Sequence, residues 1–239
     1  MKEGEKLQQG VLYFNSSSNL DMNLYITDYP TIELNNEVYE EQPIEGRNGS
    51  VYIDLDYYKD RTLEFSFDLR CTNITEKLYE VKEWLLNVND NRLVFNNDKC
   101  YMVKKVLLNS FKQVNIHLAE LEVSFIVEPF LYDIEDTTFT TTSKNFTIYN
   151  TGSYEVDTII KIYGTGSIQI SNNGETMQID DVSDYVLLDS KCKECVSSTG
   201  ESKDWDTIGN YIKLDPGDNT FELTGSITKI EITYRNTYL

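Results

Sequence analysis

Hydrophobic and polar residues alternate most cleanly between Arg61 and Arg70, where Leu63, Phe65, Phe67 and Leu69 fall on one side and Glu64, Ser66 and Asp68 on the other. A period of two sends successive side chains to opposite faces, so this pattern predicts a strand with one face in a core. The same period runs from His117 to Val127, with Ala119, Leu121, Val123, Phe125 and Val127 facing inward. His117 stands at the leading end of that face and is expected to be structural, at the edge of a core. Shorter strands are expected at Leu93–Phe95 and Tyr101–Leu108, joined by a turn at Asn96-Asn97-Asp98. Glu128-Pro129-Phe130 closes the run, because proline cannot continue a central ladder.

A single segment has helical spacing. Leu78, Val81 and Leu85 recur at i, i+3 and i+7 behind Asn73, which can cap the first turn with Glu76 completing a capping box. Trp84 flanks the stripe and is expected in the core. Upstream, Gly46 and Gly49 bracket Arg47 and predict a tight turn with positive φ. Thr137 to Ser143 reads as a Thr-rich bridge, dividing the chain into domains at 1–136 and 137–239. Beyond it lie only short strand patterns, among them Thr158–Tyr163, Ile168–Ile170, Phe221–Leu223 and Ile227–Tyr234. Asn172-Asn173-Gly174 and Pro216-Gly217-Asp218-Asn219 punctuate them as turns, and Gly164-Thr165-Gly166 reads as a hairpin. The expected class is mainly β, with one helix in the first domain and a β-sandwich or jelly roll as the second.

Composition narrows the function. The 239 residues carry a net charge of −19, spread on both sides of the domain boundary, which excludes gripping nucleic acid through clustered Lys and Arg. An acidic surface still suits a wall that nucleic acid slides past. No apolar run approaches the roughly 20 residues that cross a bilayer, and Met1–Gln9 lacks the apolar stretch of a secretory signal. Assembly in a cytoplasm and reduced cysteines are therefore expected. Cys192-Lys-Glu-Cys195 has the spacing of half a zinc site, but His117 is the sole histidine and lies far off, so no metal is expected.

Catalytic chemistry has no foothold. A nucleophile–base pair would have to use His117, and the helix opens without the glycines of a phosphate loop. The acid pairs Asp180-Asp181 and Asp204/Asp206 are what chance supplies among forty acidic residues. No catalytic residue and no cofactor is predicted. Trp205 is the outlier, a tryptophan in a polar stretch. It is a candidate sugar or partner contact, weighed against the expectation that it folds back onto the sandwich.

The landmarks occur in a telling order. Phe14-Asn15 precedes serines; Gly46-Arg47-Asn48-Gly49 follows, then Tyr58-Lys59-Asp60-Arg61, a helix ending near Trp84-Leu85, and Glu128-Pro129-Phe130-Leu131-Tyr132. The second half adds Tyr149-Asn150-Thr151-Gly152, Ile162-Tyr163-Gly164-Thr165-Gly166 and Leu214-Asp215-Pro216-Gly217-Asp218-Asn219-Thr220. Together they resemble the distal tail proteins (Dit family, short form) of long-tailed phages and prophages of Gram-positive bacteria. Only the Cys192/Cys195 segment departs from that pattern.

The resemblance implies an N-terminal tail-tube-like β domain and a galectin-like C-terminal sandwich. It implies a structural protein of the virion tail tip, or baseplate, in which six copies close into a homohexameric ring. That ring would join the tail tube protein to the tail-tip hub, or tail-associated lysin, and take part in host attachment by carrying a receptor-binding protein. No stable contact with nucleic acid or membrane is implied. Gly46, Arg47, Gly49, Tyr58 and Arg61 are the candidate ring or hub contacts. The competing reading is a carbohydrate-binding module that recognises the host surface through its C-terminal sandwich.

Overall fold

The computed structural model describes residues 10–32, 37–95 and 98–239. Two compact units divide the chain, Met1–Ile134 with Leu239 and Glu135–Tyr238. Part of the expected turn at Asn96-Asn97-Asp98, and the polar start Met1–Gln9, lie outside the described residues.

Strands of the first unit are β1 (Leu12–Phe14), β2 (Ser17–Ser18), β3 (Leu24–Asp28), β4 (Glu37–Pro43), β5 (Ser50–Tyr58) and β6 (Arg61–Arg70). After helix α1 (Ile74–Leu86) come β7 (Arg92–Phe95), β8 (Lys99–Gln113), β9 (Leu118–Val127) and β10 (Leu131–Asp133). The main sheet runs β2-β1-β7-β8-β9-β6-β3, with β10 pairing the start of β8. β6 and β9 lie antiparallel in unbroken register from Arg61↔Val127 to Arg70↔Leu118. Their alternation does what the sequence predicts: Leu63, Phe65, Phe67, Leu69, Ala119, Leu121, Val123, Phe125 and Val127 are all buried in one core.

Helix α1 packs on that core, but its stripe is not the predicted one. Ile74, Val81, Trp84 and Leu85 are buried, while Leu78 is only half-buried. Trp84 wins its place because its indole N–H donates to the Phe14 carbonyl at 2.9 Å and its ring meets Phe14 edge-on at 6.0 Å. Asn73 caps the helix by accepting from the Glu76 N–H at 3.3 Å. Glu76 answers through the Asn73 side-chain amide at 2.9 Å, not through the backbone N–H of a standard capping box. His117 proves exposed, just before β9, with its ring Nδ1 3.3 Å from the Cys71 carbonyl. The tight loop at the end of β8 turns it outward, so it is not an edge-of-core residue.

The second unit contains β11 (Thr137–Thr141), β12 (Asn145–Asn150), β13 (Val156–Asn172), β14 (Glu175–Val182), β15 (Tyr185–Asp189) and β16 (Glu194–Ser197). A 3-10 turn at Asp204–Asp206 leads to β17 (Thr207–Gly209), β18 (Lys213–Leu214), β19 (Gly217–Tyr234) and β20 (Thr237–Tyr238). The strands of this unit differ from the expected pattern in three places. The Thr-rich bridge is a strand, β11, paired with β19 from Thr137↔Tyr234 to Thr141↔Ile230. Thr158–Tyr163 and Ile168–Ile170 are one strand, β13, and Phe221–Leu223 and Ile227–Tyr234 are one strand, β19.

Gly164-Thr165-Gly166 is therefore no hairpin; it is where β13 bends. The register between β13 and β19 shifts at Tyr163/Gly164 and again at Thr165/Ile168. A Cβ on Gly164 would stand 2.5 Å from the Ser226 carbonyl oxygen, and one on Gly225 2.5 Å from that of Ser167. Glycine is needed on both sides for the backbones to approach through the bulge. Before the bend β13 pairs with β15, and after it with β14; β19 pairs with β12 early and β11 late. The bent pair thus passes from one layer of a sandwich to the other, and Ile160, Ile162, Ile168, Ile170, Phe221 and Ile232 from its two arms share one core.

Candidate assembly interface

β4 and β5 pair with each other from Glu37↔Tyr58 to Pro43↔Ser50 and form a two-stranded sheet of their own. The turn between them holds the predicted glycines, Gly46 at φ +78° and Gly49 at φ +90°, left-handed values that other residues adopt at a cost. Arg47 is exposed at this tip, its N–H donating to the Ile44 carbonyl at 3.2 Å. Register sets the two faces. Val51, Ile53 and Leu55 line one with Glu40 and Gln42; Tyr39 and Tyr52 meet edge-on at 5.2 Å on the other, beside Glu41 and Asp54. Tyr39 and Tyr52 are more than half exposed, and Val51, Ile53 and Leu55 are each about 40% exposed.

The foot of this hairpin is braced by residues distant in sequence. Tyr58 stacks edge-on against Phe130 at 5.5 Å and donates its hydroxyl to Glu37 at 2.9 Å. Arg61 donates to the Pro129 carbonyl. Burial pulls the guanidinium below its ordinary pKa, with Tyr101 opposing the shift, and the Arg61 Nε finds no hydrogen-bond partner. Asp60 meets Lys104 at 2.7 Å, an exposed pair of small worth. Tyr58 and Arg61 are thus brought together at the root, while Gly46, Arg47 and Gly49 stand at the tip, roughly 25 Å or more away at the usual rise per strand residue. The sequence pattern marks both ends of this hairpin but not the strands between them. A signal was there: β-branched and aromatic residues in Val51-Tyr52-Ile53 flank the glycine turn.

Trp205 lies in the other unit. It does not fold back onto the sandwich; it is 98% exposed on the 3-10 turn, and Ile208 three residues on is 66% exposed. The turn is pinned from below. One Asp204 carboxylate oxygen accepts from the Cys195 N–H at 2.7 Å and the Tyr211 hydroxyl at 3.3 Å, and the other from Ser202 at 2.8 Å. These bonds, the Cys195 amide first, hold the Asp204 carboxyl below its usual pKa. Cys195 is buried beneath the turn, its thiol pushed up to about 11 chiefly by burial, whereas Cys192 is exposed. Among the described residues no three His, Cys, Asp or Glu side chains cluster as a metal would require.

No protein-family model matches the chain, and no curated protein does. Among solved structures it is similar to the crystal structure of the SPP1 Dit protein (gp 19.1), described as a paradigm of the hub adsorption apparatus in phages that infect Gram-positive bacteria. The likeness spans 96% of this chain and 99% of that one, with a TM-score of 0.73 at 12% identity. The chain has the fold of a distal tail protein. At that identity the match is one of fold, and it bears out the mainly β architecture that the landmark order implied.

Within the distal tail fold the landmarks have physical jobs. Asn15 adopts φ +46° beside Ser16 at +63°, the turn that joins β1 to β2. Its amide donates to the Trp84 and Asn87 carbonyls at 2.8 and 2.9 Å, and its oxygen accepts from the Asn89 and Asp90 N–H groups at 2.9 and 3.2 Å. Phe14-Asn15 and Trp84-Leu85 are one device, a side chain that closes the C-terminus of α1. Tyr58-Lys59-Asp60-Arg61 and Glu128-Pro129-Phe130 are another, the brace at the hairpin root.

Proposed function

We propose that the chain is a structural adaptor of a phage tail tip, without enzymatic activity, in which six copies close head to tail into a ring. The ring joins the tail tube to the tail-tip hub, and the second unit carries adhesion components. One observation carries this reading: the hairpin β4–β5 exposes an aliphatic face, a tyrosine face and two strand edges. A two-stranded hairpin is marginal in water, and apolar strands with open edges invite pairing with another chain. The fold shared with SPP1 Dit supports the same reading.

A second copy of the chain supplies a matching surface. The hairpin bears Glu37, Glu40, Glu41, Glu45, Asp54 and Asp56 against Arg47 alone. Strand β8 bears Lys99, Lys104, Lys105 and Lys112 and no acid, with Lys99, Lys104 and Lys112 paired to Asp133, Asp60 and Glu120 and Lys105 left to lead the contact. Beyond Val103, β9 is the one strand that pairs with β8 among the described residues, which leaves the other edge of its lysine-rich half open. Acidic arm against lysine-bearing edge is a heterologous contact that repeats around a ring.

Negative-stain microscopy of the purified chain at high concentration, alone and mixed with the tube and hub proteins of the same virion, tests this. Six-lobed rings are expected, and Ile53→Asp is expected to abolish them while leaving the melting temperature unchanged. Single particles under every condition, or rings indifferent to Ile53→Asp, would sink the proposal.

A further inference from the structure

We propose that the Trp205 turn is a binding platform for a pyranose ring of a neutral glycan. Trp205 is the most exposed large hydrophobic side chain among the described residues, and the turn that carries it is held by hydrogen bonds. Beneath it, Asp204 takes three hydrogen bonds. Lys203 N–H donates to the Cys195 carbonyl at 2.7 Å, Asp206 N–H to the Lys203 carbonyl at 2.9 Å, and Thr207 Oγ1 to the Asp204 carbonyl at 2.8 Å. The Lys203–Asp206 ion pair at 2.7 Å closes the turn. The backbone that carries the indole is fixed in this way and costs little ordering entropy on binding, and the ring, with its faces in water, offers the flat apolar surface that the C–H face of a sugar needs.

Size and charge choose the ligand. A tryptophan presents about 150–250 Å², and even with Ile208 the apolar area falls well short of the roughly 800 Å² per side of a stable protein interface. The other side chains of the turn, Glu201, Ser202, Asp204 and Asp206, are polar or acidic, which suits hydroxyl groups better than a protein's apolar core. Lys203, the one cation there, is already paired with Asp206, so an anionic polymer such as a polyol phosphate meets repulsion. A single stacking platform binds weakly. If six copies share a ring, avidity multiplies it, but the site itself does not depend on the ring.

The chain has two tryptophans, and Trp84 is buried with its indole N–H bonded, so a ligand at Trp205 is readable in the intrinsic fluorescence of the full-length protein. Oligomers of glucose, galactose and N-acetylglucosamine serve as neutral probes, and polyglycerol phosphate as the anionic one. A saturable blue shift with at least one neutral oligomer is expected, with none for polyglycerol phosphate. Ligand-observed nuclear magnetic resonance then reads the variants: Trp205→Ala should weaken binding at least tenfold, and Trp205→Phe should restore part of it. Silence with all three neutral oligomers, binding that survives Trp205→Ala, or a stronger response to polyglycerol phosphate overturns the proposal. Silence combined with reduced assembly of Trp205→Ala into tail-tip complexes would also overturn it, reassigning the turn to a protein contact. Single subunits suffice for the titration, so its failure is separable from failure of the ring.

Discussion

Asn15 makes four hydrogen bonds with one side chain. One amide group bonds two carbonyls at the end of α1 and two N–H groups of the loop that follows, from a left-handed backbone that asparagine tolerates. Asn15→Ala is expected to destabilise the first unit by about 1–3 kcal/mol, since it removes the cap and leaves partly buried groups unpaired. Urea unfolding followed by Trp84 emission would register the loss. Gly225 carries an equivalent weight in the second unit, with φ +102° and no room for a Cβ. Gly225→Ala should cost upwards of about 2 kcal/mol, seen as a lower melting temperature of that unit. Cysteine chemistry divides by burial: alkylation of the native protein near neutral pH should label exposed Cys192 and spare Cys195, whose thiol holds its proton to about 11. Peptide mapping by mass spectrometry checks this. Asp204 sets a pH window for the Trp205 turn. Its folded pKa is lowered, so its support is complete above the ordinary carboxylate range and is lost as pH falls through the lowered value. Quenching of Trp205 by acrylamide should therefore stay constant from neutrality down to that range and change only below it.

At the scale of elements, the contrast is between β6–β9 and β4–β5. The first pair is buried on one face and its alternation settles its register, because a slip of one residue would expose every phenylalanine. The second pair is exposed on both faces, so nothing among the described residues selects which face turns inward. That indifference is what an element reserved for a neighbour requires. Shortening the hairpin by joining Glu37 to Tyr58 through a tight turn should leave the unfolding of both units intact while eliminating ring formation. Loss of folding instead would mean that the hairpin serves the monomer's own core.

For the whole molecule, the net charge of −19 weighs on any ring of identical copies. Like charges repel across the assembly, and the hairpin–β8 complementarity relieves this only locally. Raising ionic strength shortens the screening length from about 10 Å at 0.1 M toward about 3 Å at 1 M. If burial of the hairpin's aliphatic face dominates the contact, the hexamer fraction at fixed protein concentration rises with salt, as analytical ultracentrifugation would show. A fall with salt would instead assign the contact chiefly to the lysines of β8.

Much of this was legible in sequence wherever one physical constraint acted alone. Alternation placed β6 and β9 because a half-buried strand must segregate its side chains, and the Gly46–Gly49 and Asn173-Gly174 turns followed from backbone sterics. Landmark order carried the fold class for a related reason: Asn15 and Arg61 bond distant backbone carbonyls and Phe130 packs edge-on against Tyr58. What tertiary structure decided were the cases that depend on distant partners. Gly164 reads as a hairpin until the Ser226 carbonyl stands opposite and makes it a bend in a continuous strand. Leu78 yields the helix stripe to Ile74 and Trp84 because the Phe14 carbonyl waits for an indole N–H. Trp205 lies in water because Asp204 is bonded to Cys195 and Tyr211, and hydrogen bonds between residues far apart leave no period along the chain.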